Sequence, residues 1–268
     1  MQTALTIAGS DSSAGAGVQA DLKTFAAFGL YGVAAITAIT AQSTRGVEAV
    51  APLAADLVTA QIEAVAGDFT IAATKIGMLA SAAIVEAVAA AIEELELPLV
   101  VVDPVLVSSS GARLLDDDGM DALRTLLLPL ARVVTPNVTE AEALSGVRIT
   151  SADTLYEAAR RIHKLGARGV VITGGHALGA TVEDVVFDGN RLHEHRVARV
   201  DSRHTHGTGC TFASAVAAGL ALGRELPEAA ARAQQYVAGA IAHAPGLGHG
   251  RGPLDHFWEV HQPGARRL

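Results

Sequence analysis

The chain has 268 residues, half of them hydrophobic and 18% charged, with a net charge of −8 and one cysteine. That balance supplies a large core and excludes general nucleic-acid binding, which needs basic surface against phosphates. The lone cysteine excludes a disulfide framework and a multi-cysteine zinc site. No signal-peptide pattern opens the sequence, and its apolar runs are well under the roughly 18 residues of a membrane span, so a soluble cytoplasmic protein with no membrane partner is expected.

Taken in order, short β-type runs alternate with Ala-rich helical patterns. "ALTIAG" leads into a helix near 15–28, and "GVAAITAIT" into one near 56–66. "TKIGML" is followed by the helical "SAAIVEAVAAAIEEL", and "LVVVDPV" by a helix near 118–128. "RVVTPN" precedes helical "TEAEALSG", and the helix "TLYEAARRIHKLG" precedes the strand "GVVITGGH". This alternation specifies a parallel sheet covered by helices on both faces. Between 182 and 200 the rhythm breaks, and "DGN" between two short alternating runs reads as a hairpin. Two helices follow, "TGCTFASAVAAGLALG" and "PEAAARAQQYVAGAIAHA". No linker or repeat divides the chain, so residues 1–268 are expected to form one domain.

In such sheets ligands bind outside the carboxyl ends of the strands. Gly9-Ser10-Asp11, Gln42, Asp103-Pro104, Pro136-Asn137 and Gly174-Gly175 each follow a predicted strand. One crevice should collect them.

Two glycine stretches invite chemistry. "GAGVQAD" (15–21) has the G-x-G-x-x-A shape of a dinucleotide turn, but no carboxylate follows until Glu48 and the preceding loop is too long. The glycines either let a loop pack closely on the sheet or belong to a ligand site. Asp21 shares a helix face with Val18, Phe25 and Phe28, where a carboxylate needs partners. It either accepts hydrogen bonds from the preceding loop or holds a polar ligand over the glycines.

"THGTGCT" (205–211) runs straight into a long apolar helix. Unpaired N–H groups and the helix dipole suit that start to an oxyanion or a moving phosphoryl group. No G-x-x-x-x-G-K-[ST] occurs, which excludes a P-loop enzyme. Cys210 sits at this helix start, a placement expected to favour its thiolate. For a metal, Asn137 and Glu140 of "NVTE" could supply ligands, although the same spacing is a capping box, the reading local sequence favours. Asp103 is a second carboxylate candidate, or simply turns the chain at "DP". The ten histidines show no metal spacing, and those of "GHGRGPLDHFWEVH" suggest hydrogen bonding in a loop.

Together, "TIAGSDSSAGAGVQADLKTF", "ITAITAQSTRGV", "TKIGML", "DPV", "TPNVTEAEAL", "GGH", "HGTGCTFASA" and "GHGRGP" resemble the hydroxymethylpyrimidine/phosphomethylpyrimidine kinases of thiamine biosynthesis, over nearly the whole chain. The resemblance implies a ribokinase-like three-layer α/β/α sandwich with a mostly parallel central sheet. It implies phosphorylation of 4-amino-5-hydroxymethyl-2-methylpyrimidine and then of its monophosphate, with ATP as co-substrate and Mg²⁺. Gly9, Asp21, Gln42, Met78 and Val105 would then bind the pyrimidine, Gln42 having the donor and acceptor that read an aminopyrimidine edge. Gly207, Thr208 and Gly209 would form the anion hole, with Cys210 as catalytic base. Asp103, Thr173 and Gly174 would lie near ATP phosphates, Asn137 and Glu140 would place the hydrated metal, and the chain would form a homodimer.

The chain departs from the family pattern at Ser12 and Ala14, where proline and glycine are common. It also departs at Ser109 and Thr173, where lysines are common and could contact phosphates; nearby Arg113 could compensate for one of them. The alternatives are a pyridoxal/pyridoxine kinase, a non-catalytic pyrimidine-binding sensor and, weakest, a dehydrogenase.

Overall fold

The computed structural model describes residues 1–106, 111, 114–175 and 179–261. Ser109, Arg113 and the His176 of "GGH" lie outside them. The strands are β1 (Thr3–Asp11), β2 (Tyr31–Ser43), β3 (Gly46–Pro52), β4 (Ile71–Ile76), β5 (Val100–Val102), β6 (Val133–Val134), β7 (Val170–Ile172), β8 (Thr181–Phe187) and β9 (Leu192–Ala198). Among the described residues they form one sheet in the order β3-β2-β1-β4-β5-β6-β7-β8-β9. Neighbours from β2 to β7 run parallel, while β3, β8 and β9 join antiparallel.

The helices are α1 (Gly17–Ala27), α2 (Ala55–Ala66), α3 (Ala82–Glu94), α4 (Asp117–Ala122), α5 (Val138–Ser145), α6 (Ala152–Lys164), α7 (Thr208–Ala221) and α8 (Leu226–Ala242). Side chains alternate across each strand, so the central strands feed two cores. Leu5, Val102, Val134 and Val170 pack with Ile62, Ile84, Leu144 and Ile162 of α2, α3, α5 and α6. Ala4, Val101, Val133 and Val171 pack on the other face with Phe25, Val216 and Tyr236 of α1, α7 and α8. Helix α7 is buried all round from Thr211 to Ala221. It behaves as a core element, which explains its near-total lack of polar residues. The three-layer α/β/α sandwich is as anticipated.

Two details differ from the sequence expectation. Strand β3 lies where no strand was predicted, because "GVEAVAP" has no apolar–polar alternation and most of it is exposed. Only its pairing with β2 makes it a strand. The helix expected near 118–128 is α4, then a π turn over Leu123–Leu127 and a 3-10 turn over Leu128–Leu130 containing Pro129. Proline has no N–H to continue an α-helix, and the altered register buries Leu123, Leu127 and Leu128 together. The sheet is mostly parallel as expected, and the predicted 182–200 hairpin forms its antiparallel far edge. There Asp188 Oδ1 accepts the N–H groups of Asn190 and Arg191 at 2.8 and 2.6 Å.

Candidate active site

The parallel strands carry their carboxyl ends to one side, and α7 points its N-terminus at the same place. Gly207, its N-cap, has φ +83°, and a side chain there would drive a Cβ to 1.8 Å from Gly15 O. Glycine is therefore required both by conformation and by space. No side chain caps α7, leaving its first N–H groups without intrahelical partners and its dipole directed at the crevice. Thr208 turns its hydroxyl back to Thr205 O at 2.7 Å, which fixes the loop. Asp103, just past β5, lies beside Gly209, with its oxygens 3.9–4.0 Å from where a Cβ there would stand.

Beneath this loop is a charged cluster in which Lys75, which no motif marks as a site residue, joins Asp21 and Asp103. Lys75, on β4, is fully buried and donates to both oxygens of Asp21 at 3.0 Å. Asp21, also fully buried, accepts from Thr6 Oγ1 at 2.6 Å and Ser214 Oγ at 2.7 Å. Lys75 Nζ is 4.0 Å from Asp103 Oδ2. The oxygens of Asp21 are thus taken by the cation and two hydroxyls. Hydrogen bonds from its own loop, one of its two local readings, are not what it accepts: its partners come from β1, β4 and α7.

Cys210 requires a second correction. It is half-buried on the first turn of α7. Burial pushes its thiol up to about 12; Lys75 pulls the other way, but Asp103 and Asp21 add to the rise. Cys210 therefore rests as a thiol beside the Asp103 carboxyl, not as the thiolate its helix-start position suggests. The Asp103 carboxyl is itself raised to about 6, by burial first and by Asp21, with Lys75 opposing. Burial would lower Lys75, yet Asp21, Cys210 and Asp103 hold its ammonium above the ordinary lysine range.

Because Cys210 is the only cysteine, alkylation by iodoacetamide reports on it alone. Its rate should climb about tenfold per pH unit to about pH 10 without levelling. Asp103→Asn removes a carboxylate that holds the thiol up, so it should speed alkylation at about pH 8. A wild-type plateau near neutral pH would mean that the thiolate is already present.

On the acceptor side, Met78 Sδ lies 3.1 Å from where a Cβ on Gly9 would stand, so the two pack in close contact. Val105 is half-buried just beyond Asp103. Gln42, half-buried at the end of β2, lines a cavity of about 460 Å³ with Arg45, His206 and Arg251 among others. The 249–252 segment closes that side: Thr44 O accepts the Arg251 N–H at 2.8 Å, and Gly252 O accepts that of His206 at 3.1 Å. His256, further along, is buried against Thr211 Oγ1 at 3.1 Å and lowered to about 4 by burial, a neutral strut.

The two departures in the first loop have local explanations. Ser12 Oγ donates to Gln42 O and accepts Gln42 N–H, each at 2.8 Å, tying the loop to β2. Ala14 has φ +60°, the left-handed region that glycine occupies freely, so alanine there carries strain of about 1–2 kcal/mol.

On the other side, the capping-box reading of "NVTE" describes the geometry. Asn137 Oδ1 accepts the Glu140 N–H at 3.0 Å, and Glu140 Oε2 accepts the Asn137 N–H at 2.9 Å. Glu140 is nonetheless buried, and burial followed by the charge of Asp103 raises it to about 8. Thr173 pairs with Asn137 as an isolated bridge. The Gly174 N–H donates to Asp184 Oδ1 at 2.9 Å, and a Cβ there would strike Glu183 O at 1.9 Å. Glycine at 174 thus lets β8 pack closely against the segment that leaves β7. Among the described residues no group of three or more His, Cys, Asp or Glu side chains is gathered as a metal site.

The architecture finds its counterpart in a solved kinase. The pyridoxal kinase from Staphylococcus aureus in complex with AMP-PCP and pyridoxal superposes with a TM-score of 0.89, at 36% identity, over 97% of this chain and 96% of that one. The protein is a ribokinase-like phosphotransferase.

Its sequence relatives narrow this. A hydroxymethylpyrimidine/phosphomethylpyrimidine kinase of Streptomyces coelicolor is 48% identical, over 96% of this chain and 94% of the relative. A thiamine biosynthesis bifunctional protein of Geobacter sulfurreducens is also 48% identical over 94% of the chain, which spans about half (52%) of that longer protein. Residues 11–255 match the family model for phosphomethylpyrimidine kinase, and the chain belongs to that family. These relatives favour the hydroxymethylpyrimidine/phosphomethylpyrimidine kinase of thiamine biosynthesis over the pyridoxal kinase and sensor alternatives.

Proposed function

We propose that residues 1–268 act as one cytoplasmic catalytic domain that phosphorylates the hydroxymethyl group of 4-amino-5-hydroxymethyl-2-methylpyrimidine from ATP and then adds the second phosphate to the monophosphate. The observation that carries this is the uncapped start of α7, with Gly207 at φ +83°, set against Asp103 and Cys210. The amides of 207–210 receive the phosphoryl group in flight, each such donor being worth about 3–4 kcal/mol. Cys210 Sγ takes the hydroxymethyl proton as its own thiol proton passes to Asp103. The hydroxymethyl oxygen bonds to phosphorus and ADP leaves. Gly9, Gln42, Met78 and Val105 surround the pyrimidine, while Thr173 and Gly174 flank the nucleotide phosphates.

Mg²⁺ fits the same side. Two buried carboxylates lie on this side, and the charge of Asp103 adds to the burial that raises Glu140, an arrangement a divalent cation relieves. Magnesium commonly uses one or two carboxylates, with waters and substrate phosphates completing its shell. Asn137 and Glu140 would hold it through water, and it would supply charge neutralisation on the triphosphate. The homodimer belongs to this reading too, with exposed Ile39 and Val50 on β2 and β3 offering apolar surface for it. Among the described residues no helix is long and apolar enough to cross a membrane.

A product-resolved transfer assay tests the proposal. Hydroxymethylpyrimidine, its monophosphate and pyridoxal are offered separately with ATP over a Mg²⁺ titration, using wild type and Glu140→Gln. Diphosphate should form from the monophosphate, and the variant should need more Mg²⁺ at unchanged melting temperature. Transfer to pyridoxal alone would make the chain a vitamin B6 kinase, and no transfer with ATP still bound would make it a sensor. A lower melting temperature with unchanged kinetics would leave Glu140 a cap only.

A further inference from the structure

Asp11 and His206 are 195 positions apart in sequence, yet His206 Nε2 meets Asp11 Oδ2 at 2.7 Å, with both side chains almost wholly buried. Neither has been given a role in the chemistry above. Asp11 ends β1 and gathers the loop that follows: its oxygens accept the N–H groups of Ser13, Gly15 and Ala16 and the Ser13 hydroxyl, at 2.8–3.1 Å. This donor set is that of a carboxylate, and hydrogen bonds from His206 and Ser13 hold Asp11 below its usual range although burial opposes them. His206 immediately precedes Gly207. Its ring packs so closely on Gly15 that a Cβ there would lie 2.3 Å from Cδ2. The pair thus joins the loop over the acceptor to the loop that receives the phosphoryl group.

The same contact orients Gln42. Because Asp11 is ionised, His206 carries its proton on Nε2 and donates it. Gln42 Nε2 is placed 3.4 Å from that same nitrogen, and Gln42 Oε1 lies 3.2 Å from Thr40 Oγ1. Two donors cannot face each other, whereas exchanging the amide oxygen and nitrogen satisfies every group. His206 then donates to Gln42 Oε1 as well as to Asp11. Thr40 Oγ1 donates to Ser10 O at 2.9 Å and accepts from the Gln42 amide. The carbonyl keeps one lone pair and the amide one N–H for a ligand, the complement of an amino group beside a ring nitrogen. His206 and Gln42 line the same cavity of about 460 Å³.

We infer that Asp11 and His206 are positioning residues that lock the acceptor loop to the phosphoryl loop and set the Gln42 amide so that the site selects an aminopyrimidine over a ring lacking the amino group. This rests on the proposed place of the pyrimidine beside Gln42.

The test compares His206→Leu, Asp11→Asn, His206→Gln and Gln42→Ala with wild type, measuring kcat and KM for hydroxymethylpyrimidine and pyridoxal, KM for ATP, and melting temperature. His206→Leu should raise the hydroxymethylpyrimidine KM about 10- to 100-fold, the loss of a hydrogen bond to a charged group. It should narrow the preference over pyridoxal and leave the ATP KM unchanged. His206→Gln, which keeps an N–H donor, should recover part of the loss, and Asp11→Asn should follow His206→Leu in direction. Should His206→Leu fail to fold, the last two comparisons carry the test. A fall in melting temperature with KM and acceptor preference unchanged would reduce the pair to a structural tie and overturn the inference. An unchanged KM in Gln42→Ala would remove the pocket assignment itself, whereas a raised KM there with no effect in the other variants would overturn only the role of Asp11 and His206.

Discussion

Cys210→Ala lowers kcat by about 10²–10⁴-fold, the usual contribution of a positioned acid–base group, while ATP affinity stays within a few-fold of wild type. The expectation stands although the thiol is raised to about 12. A group with so high a value is a poor thiolate reservoir but a competent relay, with the neighbouring Asp103 carboxylate as its proton acceptor in the proposed mechanism. Cys210→Ser, which keeps a donor in the same place, should retain more turnover than alanine. Stopped assays over a pH series, with ATP affinity from equilibrium binding, check both variants. Near-normal kcat in Cys210→Ala would remove Cys210 from the chemistry and leave the amides of the 207–210 loop as the main source of rate.

Lys75→Met destabilises the protein by about 3–5 kcal/mol, the cost of leaving a buried charge without its partner. Lys75 and Asp21 are both fully buried, at 3.0 Å, and the carboxylate left behind has only Thr6 and Ser214 as donors. Adding Asp21→Asn to Lys75→Met should restore much of the loss, because an amide can keep both hydroxyl contacts without a charge. Denaturant unfolding of the two variants beside wild type decides it. Equal instability of single and double replacements, or a loss below about 1 kcal/mol in Lys75→Met, would show that the ion pair is not what holds this region. The folded fraction of Lys75→Met should also lose activity, since the cation beside Asp103 and Cys210 is gone.

Much of the site was legible because it rests on local physics. A glycine loop feeding a helix start is readable from "HGTGC", and "NVTE" announces its capping box within four residues. The strand ends also fell on one side, as parallel connections demand. Local rules failed where distant charges outweighed them. The helix-start rule for Cys210 predicts a lowered thiol, but burial and the carboxylates of residues 21 and 103 reverse it. Lys75 was visible as a lysine within a buried β-type run, a signal that marks a partner without naming it. Asp11 and His206 each lie in a motif the sequence displays, but nothing in either neighbourhood signals that they pair.

The sequence by itself determined the layered α/β class, the glycine start of α7, the hairpin at 182–200 and the family, since each depends on periodicity, turn chemistry or residues adjacent along the chain. The tertiary structure alone decided that β3 pairs with β2, that Asp21 pairs with Lys75, Thr6 and Ser214, and that Cys210 stays protonated. It also decided that His206 reaches Asp11. Each of these depends on which groups burial brings within a few ångströms, and in a low-dielectric interior such neighbours outweigh what the local segment prefers.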